Sequence, residues 1–326
     1  MKSLMIYGAT GYTGRMASRN AAALDLPLVV AGRAPTALAA LAEEIGATPR
    51  AFDLDDEAAI DAALADVTVL LNCAGPFHRT AAPLMRAAIR NGVHYLDIAA
   101  ELDSYRLAET LDGEARHAGV LLLPGSGGSV AMLGCLAGHV AARVAEPRAV
   151  ALALRVAGGM SRGSALSARE SLMTATLVRS GGRLVPASAE TRPFDFGAGP
   201  VACFPVTLPD LITVGRATGI ADVATFVHVV GGAFPDGDLA ALPDGPRDEE
   251  RAANRYQAIA EVVGRDGVRA ASRLDTVNGY TFTPLAAVEA ARRVLAGEVR
   301  PGFQTPAGLF GNGFAATIAD TRIIDL

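Results

Sequence analysis

The sequence predicts a doubly wound α/β domain over residues 1–124, followed by an α+β domain. Three observations carry this expectation. Short apolar runs and Ala-rich helical stretches alternate from Ser3 to Leu123 with brief connections. The apolar runs lack polar alternation, as expected of strands buried on both faces of a parallel sheet. After a glycine-rich break, Pro124 to Gly128, the texture changes to longer strand-like runs mixed with isolated helices.

In chain order, Ser3–Tyr7 reads as the first strand and Tyr12–Leu24 as the first helix. Leu28–Ala31 is a strand, Thr36–Ile45 a helix, Pro49–Phe52 a strand, Glu57–Leu64 a helix and Thr68–Leu71 a strand. A helix through Met85–Ile89, a strand at Val93–Leu96, a helix from Ser104 to His117 and a strand at Val120–Leu123 complete the domain. Beyond it, Ala149–Ala157 and Val223–Val230 read as strands. Ser164–Ser180 reads as a helix, with Ser167 and Glu170 spaced as a capping box and Gly181 as its stop. Arg247–Val263 reads as another, with Tyr256, Ile259 and Val263 on one face. Pro235–Pro246 reads as a solvent loop, and Leu285–Ala296 as a last helix before a Gly- and Pro-rich end. The expected division is 1–124, 125–299 and a carboxy-terminal return over 300–326.

The 326 residues are 51% hydrophobic with a net charge of −5, enough apolar material for two linked cores and no charge balance for nucleic acid. Lys2 is the only lysine, so a Schiff-base or proton-relay lysine elsewhere is excluded. Cys73, Cys135 and Cys203 lack metal-ligand spacing, which argues against a zinc site or a disulfide frame. The most apolar stretch, Val130–Ala145, is broken by glycines, His139 and Arg143 and is too short for a bilayer span. One lysine followed directly by a strand pattern predicts no signal peptide, hence a cytoplasmic protein without a membrane partner.

The motif GATGYTGR places Gly8, Gly11 and Gly14 directly after a strand and at the start of a helix. That is the context a dinucleotide pyrophosphate requires, because glycine admits close approach and a helix start offers N–H groups and a positive dipole end. Gly8, Thr10, Gly11, Tyr12, Thr13, Gly14 and Arg15 are the candidate loop residues; a tight turn is the plainer explanation. The second strand ends Ala31-Gly32-Arg33, where NAD-binding domains usually carry an acid for the ribose 2′-hydroxyl. Arg33 there favours NADP, by charge-assisted bonds to a 2′-phosphate, unless it is simply a solvated arginine. Asp53 and Leu54 end the third strand, where they can border an adenine; Asp53 equally fits a helix-start acid. Asn72, Ala74, Gly75 and Pro76, in LLNCAGPF, fall at the carboxyl edge of the fourth strand, with small residues leaving room for a cofactor.

Taken together, GATGYTG, AGR, NCAGPF, GVHYLDIAAE and PGFQTPAGLFG resemble the saccharopine dehydrogenase-like NADP-binding family, which includes trans-acting enoyl reductases. The resemblance implies a Rossmann-type domain, an inserted substrate and dimerisation domain, a carboxy-terminal return and a homodimer. It also implies NADP as cofactor, a small-molecule substrate and nicotinamide chemistry near NCAGPF. True saccharopine enzymes use a lysine that this chain lacks, and Ser129 and Met132 stand where relatives tend to have Asp and Pro, so a substrate other than saccharopine is expected.

Hydride transfer to a C=N or C=C bond needs a proton donor. His78 is the first candidate, then Tyr280 and Glu101; a solvent-facing histidine, a turn-packing tyrosine and an arginine-paired glutamate are the plain alternatives. Arg162, ahead of a helix start, is the candidate for a substrate carboxylate. His228, in TFVHVV, reads as a core histidine. The competing expectation is a non-catalytic NADP sensor of the NmrA-like kind.

Overall fold

A computed structural model of the chain describes residues 2–171, 175–188, 190–231 and 242–326. The chain divides into two units, Met1–Gly128 with Thr283–Gln304, and Ser129–Phe282 with Thr305–Leu326. Of the expected 300–326 return, residues 300–304 therefore join the first unit and the remainder joins the second.

Among the described residues the first unit is a seven-stranded parallel sheet with helices between the strands. In chain order it runs β1 (Leu4–Tyr7), α1 (Tyr12–Ala23), β2 (Leu28–Gly32), α2 (Pro35–Ile45), β3 (Thr48–Ala51), α3 (Glu57–Leu64), β4 (Val69–Asn72), α4 (Phe77–Asn91), β5 (His94–Asp97), α5 (Leu102–Thr110), α6 (Asp112–His117) and β6 (Leu121–Leu123). The spatial order is β15-β6-β5-β4-β1-β2-β3, where β15 is Gly302–Phe303. β1, β4 and β6 are buried at every position, which is why their sequences are unbroken apolar runs. β3 (TPRA) lies at the sheet edge and is largely exposed, the place where a proline and an arginine are tolerated. The chain leaves β1 through β2 and β3 and returns beside β1 as β4. That reversal is the switch point at which doubly wound sheets open a ligand crevice.

The expected helix Ser104–His117 is two helices. They break at the buried Leu111, and Asp112 just after it accepts the Phe303 N–H at 2.7 Å, tying β15 to the unit.

In the second unit α7 (Gly128–Ala141) is buried nearly all round, as its predominantly apolar sequence requires, with Ser129 and His139 outside its buried set. A mixed sheet follows: β7 (Pro147–Ala157), β8 (Leu177–Ser180), β9 (Arg183–Pro186), β10 (Arg192–Asp195), β11 (Pro200–Pro205), β12 (Asp222–Val230), β13 (Tyr256–Gly264), β14 (Arg269–Thr276) and β16 (Arg322–Asp325). Its order is β10-β11-β12-β7-β13-β14-β16, with the β8–β9 hairpin attached to β12. Phe194, Phe196, Cys203, Ala151, Ala153 and Ile259 form one cluster of its core. Burial also pushes the Cys203 thiol up to about 11.

Two expected helices are corrected here. α8 spans only Arg162–Ser171, and its cap is Ser161, whose Oγ accepts the Ser164 N–H at 3.2 Å; Ser167 lies inside the helix. The side chain of Glu170 lies outside the described residues. Gly181 and Gly182, at φ +54° and +80°, are the turn of the β8–β9 hairpin, since a two-residue hairpin turn of this hand needs positive φ at both positions. The second expected helix, Arg247–Val263, is a short α10 (Asp248–Ala253) followed by β13. β13 pairs antiparallel with both β7 and β14, so its apolar residues are buried by sheet neighbours on either side, a pattern that short helical spacing imitates. Most of the expected solvent loop Pro235–Pro246 lies outside the described residues. α9 (Asp210–Thr218) and α12 (Pro306–Phe310) complete the unit, and the remaining helix, α11 (Gly279–Ala296), starts earlier than expected.

No helix among the described residues is long and apolar enough to cross a membrane. Asp210, at the start of α9, is fully buried, and among the described residues no other residue hydrogen-bonds either of its carboxylate oxygens. Burial pushes it up to about 7. A carboxyl raised in the folded state favours folding most at low pH, and that advantage is lost as pH rises from the unfolded value toward about 7. Asp210→Asn is therefore expected to leave stability unchanged near pH 4 and to raise it by on the order of 3 kcal/mol near pH 8, read by denaturant unfolding at both pH values. Equal effects at the two pH values would contradict this.

Candidate functional site

The glycine loop joins β1 to α1. The Gly8 and Ala9 N–H groups both donate to the Ala31 carbonyl, at 2.9 and 3.1 Å, and Gly11 N–H donates back to Gly8 at 3.0 Å. Gly8 has φ +78°, and a Cβ there would stand 2.8 Å from Ala74. At Gly14 a Cβ would meet the Gly8 carbonyl oxygen at 2.1 Å, whereas at Gly11 the same oxygen is 3.3 Å away. α1 starts at this loop with no side-chain cap and no acid in its first turn. Its positive dipole end is thus unneutralised by its own sequence, as an anion site requires. Arg15 donates to the Thr10 carbonyl at 3.0 Å, bracing the loop from within.

At the carboxyl end of β2 the exposed Arg33 follows Gly32, whose carbonyl accepts the Phe52 N–H at 3.0 Å. The Tyr7 ring lies 5.0 Å from that of Phe52. Burial raises the Tyr7 phenol to about 12, with Arg33 lowering it and Asp53 raising it, so both charges lie near the end of β1. Asp53 is exposed and Leu54 half-buried. The helix-cap alternative for Asp53 is filled by Asp56, which accepts the Ala59 N–H at 3.0 Å.

On the other side of the loop, Cys73 N–H donates to the Tyr7 carbonyl at 2.8 Å, leading into a turn through Ala74 and the cis Gly75–Pro76 bond to α4. Asn72 is fully buried: its Oδ1 accepts the Ala74 N–H at 2.9 Å, and its Nδ2 donates to Thr80 at 3.0 Å and to Tyr95 at 3.3 Å. Tyr95 donates to Asp97 at 2.9 Å, and the other Asp97 oxygen accepts the N–H groups of Ala99 (3.0 Å) and Gly125 (2.8 Å). Burial pushes Asp97 up to about 6 against these bonds, and burial beside Asp97 pushes the Cys73 thiol up to about 12. A thiol so raised is not a thiolate nucleophile. Asp97 and Tyr95 lie in the GVHYLDIAAE stretch that carries the family resemblance, but the sequence alone assigns neither a role in the site.

His78 is exposed in the first turn of α4, and Arg79 Nε donates to its Nε2 at 3.3 Å. Glu101, just before α5, accepts the Ala100 N–H at 3.0 Å. The single lysine precedes β1, at the opposite end of the strand from the loop, and donates to the Leu295 carbonyl at 2.9 Å.

Tyr280 and Arg162 belong to the second unit. The Tyr280 hydroxyl accepts the Ser161 N–H at 2.8 Å, and Asn278 Oδ1 accepts the Tyr280 N–H at 3.0 Å. Arg162 directs its guanidinium to Asp244 at 2.7 Å and to the Leu242 carbonyl at 3.2 Å, so it ties down residues 242–244 in this structure. His228 is half-buried, with Nδ1 3.0 Å from the Ala202 carbonyl. Among the described residues no cluster of His, Cys, Asp or Glu is placed to hold a metal ion.

Residues 4–123 match the family described as saccharopine dehydrogenase NADP binding domain. Rat and human saccharopine dehydrogenase-like oxidoreductases are each 29% identical over 146 residues, covering 38% of this chain and 34% of theirs. The trans-acting enoyl reductase of Mycobacterium ulcerans is 28% identical over 106 residues, 30% of this chain and 25% of that protein. The matched region thus spans about a third or less of these relatives. Apo saccharopine dehydrogenase (L-Glu forming) from Saccharomyces cerevisiae shares the fold over 99% of this chain and 100% of its own, with a TM-score of 0.68 at 15% identity. Within the first unit, residues 4–123 are thus similar to saccharopine dehydrogenase NADP binding domains.

The loop geometry ranks three substitutions. Gly14→Ala is expected to cost most in thermal stability and dinucleotide affinity, because the contact is backbone that cannot yield; Gly8→Ala follows, and Gly11→Ala costs least. Thermal melts and calorimetric titration with NADP+ check the order, and Gly11→Ala as the most damaging change would contradict it.

Proposed function

We propose that this chain, whose residues 4–123 match the saccharopine dehydrogenase NADP binding domain, is an NADP-dependent oxidoreductase. It passes a hydride between the nicotinamide and a C=N or C=C bond of a small metabolite other than saccharopine. The observation that carries the cofactor preference is Arg33. It stands exposed at the end of β2, near Tyr7 and Asp53, where an NAD-type domain would present an acid. A guanidinium there attracts a 2′-phosphate and offers it paired N–H donors. The pyrophosphate is assigned to the glycine loop and the start of α1, and Asn72, Ala74, Gly75 and Pro76 border the nicotinamide side.

The bond class draws support from the relatives. An enoyl reductase acts on C=C, and saccharopine, named in the other relatives, is a secondary amine that relates to an imine by hydride transfer. The nicotinamide, when bound, supplies or accepts the hydride. The chain's own part is to hold the dinucleotide and to supply a proton to the carbon or nitrogen that gains charge. His78 is assigned that role: it follows the 74–76 turn and is exposed, and with Nε2 accepting from Arg79 the neutral ring carries its proton on Nδ1. Tyr280 and Glu101 are the alternatives. The lone lysine is engaged at the opposite end of β1, which supports a mechanism without an amine catalyst.

Purified protein incubated with NADPH and panels of enoyl compounds and keto acid–amine mixtures is expected to consume nicotinamide absorbance with at least one of them. Tight binding without turnover across both panels would overturn the enzymatic reading in favour of a sensor. Arg33→Asp is expected to weaken NADPH binding roughly tenfold or more while leaving NADH binding equal or better; equal loss of both would count against Arg33. With a substrate in hand, His78→Ala is expected to lower kcat about a hundredfold at unchanged NADPH affinity. The same loss appearing only in Tyr280→Phe would move the role to Tyr280.

A further inference from the structure

The buried hydrogen bonds at the carboxyl edge of the first unit have a fixed direction. Thr80 donates its hydroxyl hydrogen to the Ala74 carbonyl at 2.6 Å. Because Asn72 Oδ1 is committed to the Ala74 N–H, its amide nitrogen must face Thr80 and Tyr95. Tyr95 thus accepts from Asn72 and donates onward to Asp97. The series ends on a group that, when ionised, can only accept. The same aspartate takes two backbone N–H groups through its other oxygen, and its main-chain carbonyl accepts from both the N–H and the hydroxyl of Ser126 at 2.8 Å. One residue therefore ties the end of β5 to the end of β4 and to the segment after β6.

We propose that Asp97 is a positioning residue of the dinucleotide site: acting through Tyr95 and Asn72, its carboxylate holds the 74–76 turn against Gly8, and protonation loosens that hold. The proposal rests on the dinucleotide reading of the loop. Protonation at Oδ2 adds a hydrogen that competes with the Tyr95 hydroxyl hydrogen and removes the charge that strengthens the Tyr95 bond, so the relay is weakened. Burial, opposed by the backbone N–H groups and Tyr95, brings this event to about pH 6. The titratable groups around it are Glu101, which raises it further, Cys73 at the end of β4, Tyr95 itself and Tyr105 on α5. Asp97→Asn has the same shape and the same conflict at every pH. Tyr95→Phe cuts the relay while leaving the backbone bonds of Asp97 in place.

The test is calorimetric titration of the full chain with NADP+ between about pH 5 and 8 for the native protein, Asp97→Asn and Tyr95→Phe. Amide hydrogen exchange over residues 72–80, corrected for intrinsic rates, is followed without ligand in the same buffers. The ligand's own 2′-phosphate titrates in this window, so the informative quantity is the gap between native and variant profiles. At the upper end both variants are expected to bind roughly five- to tenfold more weakly and to lose protection over 72–80, and at the lower end the gap should close. Native-like affinity and protection in Tyr95→Phe, or a gap that does not change with pH, would overturn the proposal. Should the native protein bind neither NADP+ nor NAD+, the cofactor reading fails on its own, and the pH dependence of exchange in the three proteins still decides whether Asp97 holds the turn.

Discussion

Three stretches of chain meet at the carboxyl edge of the first sheet with glycine at the points of closest approach, and the site depends on that contact. Gly8 and Ala9 hang from the Ala31 carbonyl, Gly8 abuts Ala74, and Gly14 closes over the Gly8 carbonyl. A β-carbon at Gly8 or Gly14 would push these segments apart. Their approach is what brings the uncapped start of α1 to the crevice between β1 and β4, where the strand order reverses. Arg33 brings a positive charge to the same edge from β2, which is the basis of the proposed preference for NADP.

Holding such an edge from inside requires polar groups where the sheet is otherwise apolar, and two buried aspartates show how context decides their character. Asp97 takes two backbone N–H groups and a phenol, and burial lifts it to about 6. Asp210, equally buried but with no partner beyond its own residue among the described residues, is lifted to about 7. The hydrogen bonds to Asp97 favour the ionised form and offset part of the desolvation. Asp97 therefore remains available as an acceptor at neutral pH, while Asp210 bears on the stability of the second unit.

The first unit was largely legible in the sequence, because strands buried on both faces leave unbroken apolar runs and helices between them are Ala-rich. The glycine loop and Arg33 were legible for a similar reason: each depends on residues close in sequence to a strand end. The role of Asp97 was not, because its partners lie on its own strand, just beyond it and after β6, and it reaches β4 only through Tyr95, so only the sheet order brings these together. The second unit was harder. β13 carries apolar residues at helical spacing yet is a central strand, and Gly181–Gly182 has the composition of either a helix stop or a hairpin turn. Arg162 looked available in sequence, since Asp244, its partner, lies 82 positions away.

The proposed function places a dinucleotide pyrophosphate on the loop from Gly8 to Gly14, with Arg33 at its adenosine end. A crystal structure of the chain grown with NADP+ tests it most directly. The expected result is a pyrophosphate within hydrogen-bond distance of backbone N–H groups at the start of α1, and a 2′-phosphate against the Arg33 guanidinium. A dinucleotide bound elsewhere, or one whose pyrophosphate leaves this loop untouched, would contradict the account.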